Sequence, residues 1–269
     1  MKKLRLLDLF SGIGGFSLGL ERSGGFETVT FCEIEPFCQR VLAKHWPGVP
    51  IYDDVRTLTA ARLAADGVGG VDVITGGFPC QDLSVAGRRA GIEASRSGLW
   101  SEIVRLSIEL RPQFVLVENV TNLISGPGER PGRWFGRVLG DLAEVGYDAE
   151  WHCIPASAVA APHSRDRVWV LAYPQQVQRV HPLFDPDHAA ETIRANAAFG
   201  GEDGVRPQMG GALRSLPGRW MDQPRANGVA DGVSDWSHRL AACGNAVVPQ
   251  IPELIGLAIM KALRQSEAA

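Results

Sequence analysis

Short apolar runs with strand character alternate with helical segments over the first 174 residues of the chain. The strand-like runs cover residues 4–9, 27–32, 71–75, 114–117, 149–154 and 168–173. Helical spacing begins after Gly12-Ile13-Gly14-Gly15 and recurs over residues 35–45, 99–110 and 134–145. This alternation predicts an α/β fold, a doubly wound and mostly parallel sheet with helices on both faces. Such sheets bind ligands beyond the carboxyl ends of their strands, so we expect the functional residues in the loops that follow strands.

The character of the chain changes after Pro174. Residues 175–238 are rich in Gly, Pro, Asp and Arg and lack sustained periodicity. Helical spacing returns at Pro249, where Ile251, Leu254 and Ile255 share one face. We therefore expect residues 1–174 and 239–269 to form one domain, with residues 175–238 as a small, irregular inserted region.

Composition narrows the classes of protein that this chain can belong to. The five cysteines are scattered and never form a Cys-x-x-Cys pair, which argues against a disulfide framework and a zinc site and favours a reducing cytoplasm. We expect no metal, no signal peptide and no apolar stretch long enough to cross a membrane. A net charge of −3 does not by itself indicate a nucleic-acid-binding protein.

A glycine-rich loop follows the first strand, in the sequence Asp8-Leu9-Phe10-Ser11-Gly12-Ile13-Gly14-Gly15. Glycines let the backbone approach a ligand closely, and Glu33 at the end of the second strand lies where ribose hydroxyls are usually held. The dinucleotide fingerprint requires a third glycine at position 17, which is Ser17. On these residues alone a nicotinamide dinucleotide and S-adenosylmethionine are about equally compatible, and a glycine turn without a ligand stays open.

A Pro-Cys pair follows the strand-like run over residues 71–75, in the loop Gly77-Phe78-Pro79-Cys80-Gln81. The thiolate is the reactive form of cysteine, and cations such as Arg88 and Arg89 lower the pKa of a nearby thiol. Cys80 is therefore a candidate nucleophile, although an isolated Pro-Cys pair is more often a small buried hydrophobic residue.

The chain resembles the DNA (cytosine-5)-methyltransferase family, and its motifs occur in the order of that family. They are the glycine loop with Phe16, then Glu33, Asp54, Gly77-Phe78-Pro79-Cys80-Gln81, Ser95-Arg96-Ser97-Gly98-Leu99, Glu118-Asn119-Val120, Arg165-Asp166-Arg167 and Gly244-Asn245-Ala246-Val247-Val248-Pro249-Gln250. The resemblance covers nearly all of the chain outside residues 175–238. It implies a Rossmann-like methyltransferase fold in which the inserted region recognises the target sequence.

The resemblance also implies how the reaction proceeds. Cys80 attacks C6 of cytosine and Glu118 assists at ring N3, which makes C5 nucleophilic towards the methyl group. Arg165 is expected to contact the target base, whereas Arg167 is expected to be more structural. A cytosine inside a duplex cannot reach Cys80, so the base must be flipped out.

The remaining site residues follow from the same resemblance. The S-adenosylmethionine site is expected to contain Phe10, Gly12, Gly14, Glu33, Ile34, Asp54, Leu99, Asn245 and Val247. The assignment of Asp54 could be off by one, because Asp53 is adjacent. The loop from Gln81 to Ser97 is expected to close over double-stranded DNA, with Gln81, Ser84, Arg88 and Arg89 as contacts.

We expect the protein to be a monomer in the cytoplasm that is not bound to a membrane. A cognate restriction endonuclease, as in a restriction-modification pair, is a candidate functional partner. Other readings remain. One is a tRNA cytosine-5 methyltransferase, whose Cys-Phe-Thr tripeptide is absent from this chain. Another is a non-catalytic DNA-binding relative, which would usually lose the cysteine or the Glu-Asn-Val motif. The third is a nicotinamide dehydrogenase, which the missing glycine disfavours.

Overall fold

A mixed sheet of seven strands forms the centre of the molecule in the computed structural model, which describes residues 2–78, 98–125, 133–159, 161, 163–175 and 236–268. The strands are β1 (Leu4–Leu9), β2 (Phe26–Cys32), β3 (Ile51–Tyr52), β4 (Val73–Gly76), β5 (Phe114–Val120), β6 (Tyr147–Pro155) and β7 (Asp166–Pro174). Their order is β3-β2-β1-β4-β5-β7-β6. The first five in that order are parallel, whereas β7 is antiparallel to both β5 and β6. The predicted α/β fold with a mostly parallel sheet is confirmed.

Helices connect the strands and cover both faces of the sheet. They are α1 (Gly15–Arg22), α2 (Pro36–His45), α3 (Ala60–Ala65), α4 (Leu99–Leu110), α5 (Asn122–Ser125), α6 (Arg133–Glu144), α7 (Trp236–Asn245) and α8 (Gln250–Ala268). Two short 3₁₀ helices occur at Val55–Thr57 and Ala156–Val159. Every strand and helix expected from the sequence occurs. The short elements β3, α3 and α5 were missed because they are too brief to show a period. Helix α7 was also missed, and it begins inside the region that was expected to be irregular up to residue 238.

The central strands are apolar at successive positions because both faces of the sheet are buried. On β1, Leu7 and Leu9 pack into the cluster that includes Trp100 and Ile103 of α4. Their neighbour Leu6 points the other way, into the cluster that α1 and α8 cover. This two-sided burial leaves the carboxyl edge of the parallel strands as the place where loops and polar groups gather.

Strand β5 is longer than its apolar run predicts. The sequence pattern ends at residue 117, but the strand continues to Val120 because its last residues pair with β7. Glu118 lies opposite Trp169, and Asn119 lies opposite Val168. Glu118 and Asn119 therefore lie on a strand within the sheet rather than in the loop beyond it.

The C-terminal segment corrects one expectation. Among the described residues, Ala241–Glu267 is long and apolar enough to cross a membrane by length and composition, with a mean hydropathy of 1.5 over an 18-residue stretch. The sequence reading missed this because Asn245, Pro249 and Glu253 interrupt the apolar residues. In the fold, α8 buries Ile251 and Ile255 in the same cluster as Phe16 and Leu20 of α1, as the core helix of a globular domain does.

Candidate active site

A cavity of about 1020 Å³ opens at the carboxyl edge of the sheet. The parallel strands β1, β2, β4 and β5 end there, and β7 begins there because it runs in the opposite direction. The lining residues that follow β1, β2 and β3 are Phe10, Gly12, Glu33, Ile34, Glu35, Asp53, Asp54, Val55 and Arg56. The rest include Gly77, Phe78, Leu99, Glu118, Asn119, Asn122, Arg165, Arg167 and Asn245. Residues that are distant in the sequence thus share one cavity.

The glycine loop adopts an unusual backbone conformation before α1 begins. Phe10 has a φ of 52°, and Gly12 has a φ of 54°. A left-handed backbone is strained for a residue with a side chain, and such strain is often found at functional sites. A Cβ on Gly12 would meet nothing within 4 Å. The glycine therefore leaves open space at the cavity wall.

Glu33 is held by two backbone N–H groups at the carboxyl end of β2. Gly12 donates to its Oε2 at 2.7 Å, and Glu35 donates to its Oε1 at 2.8 Å. The side chain amide of Gln39 donates to the Glu33 carbonyl oxygen at 2.6 Å. Glu33 as a whole is 8% exposed and lines the cavity. Each oxygen keeps a further lone pair, so the group is oriented to accept hydrogen bonds from vicinal hydroxyls.

Two neighbours of Glu33 give the cavity an apolar wall and an acidic edge. Ile34 is 67% exposed, which is unusual for a large apolar side chain and suits a flat apolar ligand surface. Asp54 accepts three hydrogen bonds from the Arg56 guanidinium and one from the Arg56 backbone N–H, and these lower its pKa. Asp53 is more exposed than Asp54, and both line the cavity. Both carboxyl groups therefore reach the cavity, and Arg56 holds the one on Asp54 in place.

A buried carboxyl lies between two arginines at the other end of the cavity. Nε of Arg167 contacts Oε1 of Glu118 at 2.9 Å, and Nη2 of Arg165 lies 3.8 Å from the same oxygen. Burial raises the pKa of the Glu118 carboxyl above its usual range, and the two guanidinium groups only partly oppose that rise. Arg167, for which the sequence favours a structural role, thus makes the closer contact with Glu118.

Arg165 joins the C-terminal segment to this carboxyl. Its Nη1 donates to the carbonyl oxygens of Gly244 at 2.6 Å and Ala246 at 3.0 Å, and its Nη2 donates to that of Asn245 at 3.4 Å. These carbonyls lie at the end of α7, where a cation is favourable because the terminal carbonyls have no partner within the helix. Burial and the neighbouring Arg167 lower the pKa of Arg165. The chain thereby returns after residue 235 to complete the site.

Asn119 fixes the backbone that leads to the Pro-Cys pair. Its Nδ2 donates to the carbonyl oxygen of Phe78 at 3.1 Å, and its Oδ1 accepts from the backbone N–H of Val120 at 2.8 Å. Phe78 also packs against Trp100, with ring centroids 5.3 Å apart. These contacts tie the end of β5 to the segment that leads to the Pro-Cys pair.

The cysteines that line the cavity differ from the expected nucleophile. Burial raises the pKa of Cys32 to about 12 and that of Cys38 to about 11, so both thiols stay protonated near neutral pH. Cys153 and Cys243 are exposed free thiols. Cys80, together with the expected DNA contacts Gln81, Ser84, Arg88 and Arg89, lies outside the described residues.

Two expected cofactor residues do not line the cavity. A Cβ on Gly14 would lie 2.6 Å from the Trp46 ring, so this glycine faces a packed side chain. Val247 packs beside Gly15, where an added Cβ would lie 2.8 Å from the Cβ of Val247. Phe10, Gly12, Glu33, Ile34, Asp54, Leu99 and Asn245 do line it. Gly14 and Val247 therefore shape the glycine loop from behind.

Several residues that line the cavity were not predicted from the sequence. Asn122 follows β5 on α5, and Ala241 and Ala242 lie on α7. Asn122 could have been predicted to line the cavity because it follows a strand directly. Nothing in the sequence predicts this for the two alanines, because only the return of α7 to the site brings them to the cavity.

The model of the family described as "C-5 cytosine-specific DNA methylase" matches residues 4–220 of this chain, well over half of it. This chain belongs to that family. The Type II methyltransferase M2.BsuMI of Bacillus subtilis (strain 168) is 35% identical over 194 residues, which cover 69% of the chain and 46% of that protein. M.Sau3AI of Staphylococcus aureus is 33% identical over 190 residues, covering 66% and 45%. The chain thus spans about half the length of these curated relatives of the methylase family.

Solved structures share the fold of this chain. A DNA modification methyltransferase encoded within an E. coli prophage superposes with a TM-score of 0.54 and 29% identity, over 64% of this chain and 47% of that one. The Dnmt2 methyltransferase of S. pombe superposes with a TM-score of 0.56 over 70% of this chain and 55% of that one. Its identity of 22% supports a shared fold alone.

Proposed function

We propose that this methylase transfers a methyl group from S-adenosylmethionine to C5 of a cytosine flipped out of double-stranded DNA. One observation carries the proposal most directly. A single cavity joins a carboxylate oriented for hydroxyl groups, Glu33, to a buried carboxyl paired with two arginines, Glu118. The family, and the names of the relatives, support DNA as the substrate.

The described residues fit S-adenosylmethionine. The Glu33 carboxylate suits the ribose hydroxyls, the exposed face of Ile34 suits the adenine, and the open space at Gly12 suits the methionine part. Phe10, which has a φ of 52°, lies at the cavity wall beside this space. When bound there, S-adenosylmethionine supplies an electrophilic methyl group.

Cys80 is the proposed nucleophile, and the family motif and the anchored Phe78 support this role. Its thiolate forms a bond to C6 of cytosine, and the electron pair of the C5–C6 double bond becomes available at C5. The Glu118 carboxyl donates a hydrogen bond or a proton at N3 as charge builds there. C5 takes the methyl group as the S–C bond of the sulfonium breaks and the sulfur keeps that electron pair. C5 then loses its proton to water, N3 returns any proton it received to Glu118, and elimination of the Cys80 thiolate restores the double bond.

The two arginines hold Glu118 in place for this step. Arg167 keeps the carboxyl oriented by its contact at 2.9 Å. Arg165 links the same carboxyl to the end of α7, next to Asn245 on the cavity wall. A shift of about 1 Å in such groups can cost about a hundredfold in rate, so this bracing is expected to matter.

The remaining proposals concern the setting of the enzyme. Gln81, Ser84, Arg88 and Arg89 are the proposed DNA contacts, and residues 175–238 are the proposed target-recognition region. We propose a monomer in the cytoplasm that is not bound to a membrane. The names of the relatives make a cognate restriction endonuclease the proposed functional partner.

The deciding experiment measures transfer of labelled methyl groups to mixed-sequence duplex DNA and to tRNA in parallel. The wild-type protein is compared with Cys80→Ala, and bisulfite sequencing identifies the methylated cytosines. Cys80→Ala is expected to abolish transfer while S-adenosylmethionine still binds, as calorimetry would show.

Each outcome decides between the readings. Label in DNA that depends on Cys80 supports the proposal and reveals the recognised sequence. Label only in tRNA assigns the chain to the RNA-modifying branch. Cofactor binding without label in either substrate points to the non-catalytic reading, and unchanged turnover of Cys80→Ala overturns the covalent route.

A further inference from the structure

A buried polar cluster lies beneath the cavity and takes no part in the proposed chemistry. Its members are Asp8 at the end of β1, Ser17 in the first turn of α1 and Thr75 on β4. The Ser17 hydroxyl donates to Oδ2 of Asp8 at 2.8 Å, and the Thr75 hydroxyl donates to Oδ1 at 2.8 Å. All three residues are fully buried. One carboxyl therefore joins three elements of secondary structure.

The cluster connects the two loops that the proposed reaction requires. Asp8 and Ser17 flank the glycine loop, which contains Phe10 and Gly12. Thr75 is two residues before Gly77, where the loop that carries Cys80 begins. Asp8 is the only residue of the three that bonds to both sides.

Ser17 also explains the departure from the dinucleotide fingerprint. A glycine at position 17 would give close helix packing but would leave Oδ2 of Asp8 without this donor. A buried carboxyl that lacks its hydrogen bonds loses its contacts with water and gains no replacement, which destabilises the fold. The serine hydroxyl therefore fits the acidic residue that stands nine positions earlier.

If these three buried residues served only to fill the core, polar side chains would not be needed there. Apolar residues of similar volume commonly stabilise a core as well as a satisfied polar group does, or better. A carboxyl with two hydroxyl donors adds direction, because each hydrogen bond fixes both a distance and an angle. The cluster is thus suited to setting positions rather than to adding stability.

We propose that Asp8 is a positioning residue, whose carboxyl holds the first turn of α1 and the end of β4 in a fixed relation and so sets the glycine loop against Gly77 and Phe78, which lead to Cys80. This inference rests on the proposed function. It assigns the Ser17 contact to cofactor binding and the Thr75 contact to methyl transfer.

The test compares Ser17→Ala, Thr75→Val and Asp8→Val, singly and in combination, by the Kd for S-adenosylmethionine and by kcat. Ser17→Ala is expected to raise the Kd about fivefold with kcat within about twofold, because one hydrogen bond behind the glycine loop is lost. Thr75→Val is expected to lower kcat about tenfold with the Kd nearly unchanged, because Gly77 and Phe78, which lead to Cys80, are shifted. Asp8→Val removes both acceptor oxygens and is expected to show both effects.

Matched controls separate positioning from loss of a buried hydroxyl. Ser107 and Thr30 are also fully buried. The Ser107 hydroxyl donates to the Ile103 carbonyl oxygen at 2.8 Å, and the Thr30 hydroxyl donates to that of Pro50 at 3.2 Å. Ser107→Ala and Thr30→Val are expected to lower the Tm as the test variants do, with the Kd and kcat unchanged.

Non-additivity is the decisive readout. In the Asp8→Val background, Ser17→Ala and Thr75→Val should each change the measured constants by less than about twofold, because their shared partner is gone. Full additivity, or effects equal to those of the two controls, overturns the proposal. If Asp8→Val does not fold, the Ser17→Ala/Thr75→Val double variant decides, since it must show the Kd and kcat effects together.

The wild-type protein separates failure of this inference from failure of the proposed function. Absence of methyl transfer by the wild type to DNA and tRNA refutes the function. The Kd comparison of Ser17→Ala with Ser107→Ala then still supports or overturns the role of Asp8 in holding the glycine loop.

Discussion

The Glu118 carboxyl shows how opposing effects set the chemistry of one residue. Burial favours its neutral form, whereas Arg167 at 2.9 Å and Arg165 at 3.8 Å favour the carboxylate. The result is a raised pKa, so burial outweighs the two cations. A carboxyl of this kind can serve as an acid towards N3 nearer neutral pH than an exposed glutamate can.

Arg167→Met tests this balance through the pH dependence of kcat. Removal of the nearer cation raises the pKa of Glu118 further, because the carboxylate loses its stabilising charge. If the protonated form is the active one, the fall in kcat at alkaline pH moves to higher pH. Arg137→Met, which removes an exposed partner of Asp141 on α6, serves as the control. A shift to lower pH would contradict the acid role of Glu118.

Glu33→Ala tests the ribose contact. The substitution removes a carboxylate that two backbone N–H groups hold in place. Hydrogen bonds to a charged group contribute about 1.5–3 kcal/mol, so the affinity for S-adenosylmethionine should fall roughly tenfold to a hundredfold in calorimetry. Glu27→Ala, an exposed position on the same strand, should leave the affinity unchanged. Equal affinity of wild type and Glu33→Ala would remove Glu33 from the ribose role.

Close packing between α1 and the C-terminal segment is what brings Asn245 back to the cavity. A Cβ on Gly15 would lie 2.6 Å from the Val247 carbonyl oxygen, and a Cβ on Gly19 would lie 2.1 Å from that of Pro249. These glycines let the two backbones approach more closely than any side chain would allow. The buried face of α8 then covers the cluster that contains Phe16 and Leu20.

Gly19→Ala is therefore expected to destabilise the protein by about 1–3 kcal/mol, because the new methyl group meets a backbone oxygen that cannot turn away. Gly140→Ala is the matched substitution on α6, where a Cβ would meet nothing within 4 Å. It should stabilise the protein by about 0.5–1 kcal/mol through lower entropy of the unfolded chain. Urea unfolding measures both, and effects of the same sign would refute the packing argument.

The stability of the whole molecule should depend on pH through the buried Asp8. Burial raises the pKa of this carboxyl to about 7 in the folded protein, against hydrogen bonds from Ser17 and Thr75 that lower it. Among the described charged groups, Glu33 adds to the rise. Because the folded state holds the proton more tightly than the unfolded state, folding is most favourable while Asp8 is protonated.

The measurement is the free energy of unfolding of wild type minus that of Asp8→Asn. The difference should be constant below about pH 4, should fall as the pH rises from about 4 to about 7, and should then level off. Its slope should not exceed about 1.4 kcal/mol per pH unit, the value for one proton. A difference that rises or stays flat over this interval would contradict the assignment.

Local and periodic features were enough to predict much of this protein. The apolar runs and helical spacing located the long strands and every long helix except α7, and α4 begins and ends at the residues that its spacing predicts. The order of the strand ends predicted that Phe10, Glu33 and Glu118 would meet at one edge of the sheet, because parallel strands end together. These predictions depend on neighbours within a few positions along the chain.

Tertiary structure decided the features that depend on distant partners. The last residues of β5 became strand because β7 pairs with them. Gly14 and Val247 do not line the cavity, because Trp46 packs against Gly14 and α1 packs against Val247. The raised pKa values of Asp8 and Glu118 arise from burial among several elements, which no local pattern contains. The sequence by itself determined the elements and the chemical groups, and only their packing determined which groups touch, how deeply each is buried and therefore how each ionises.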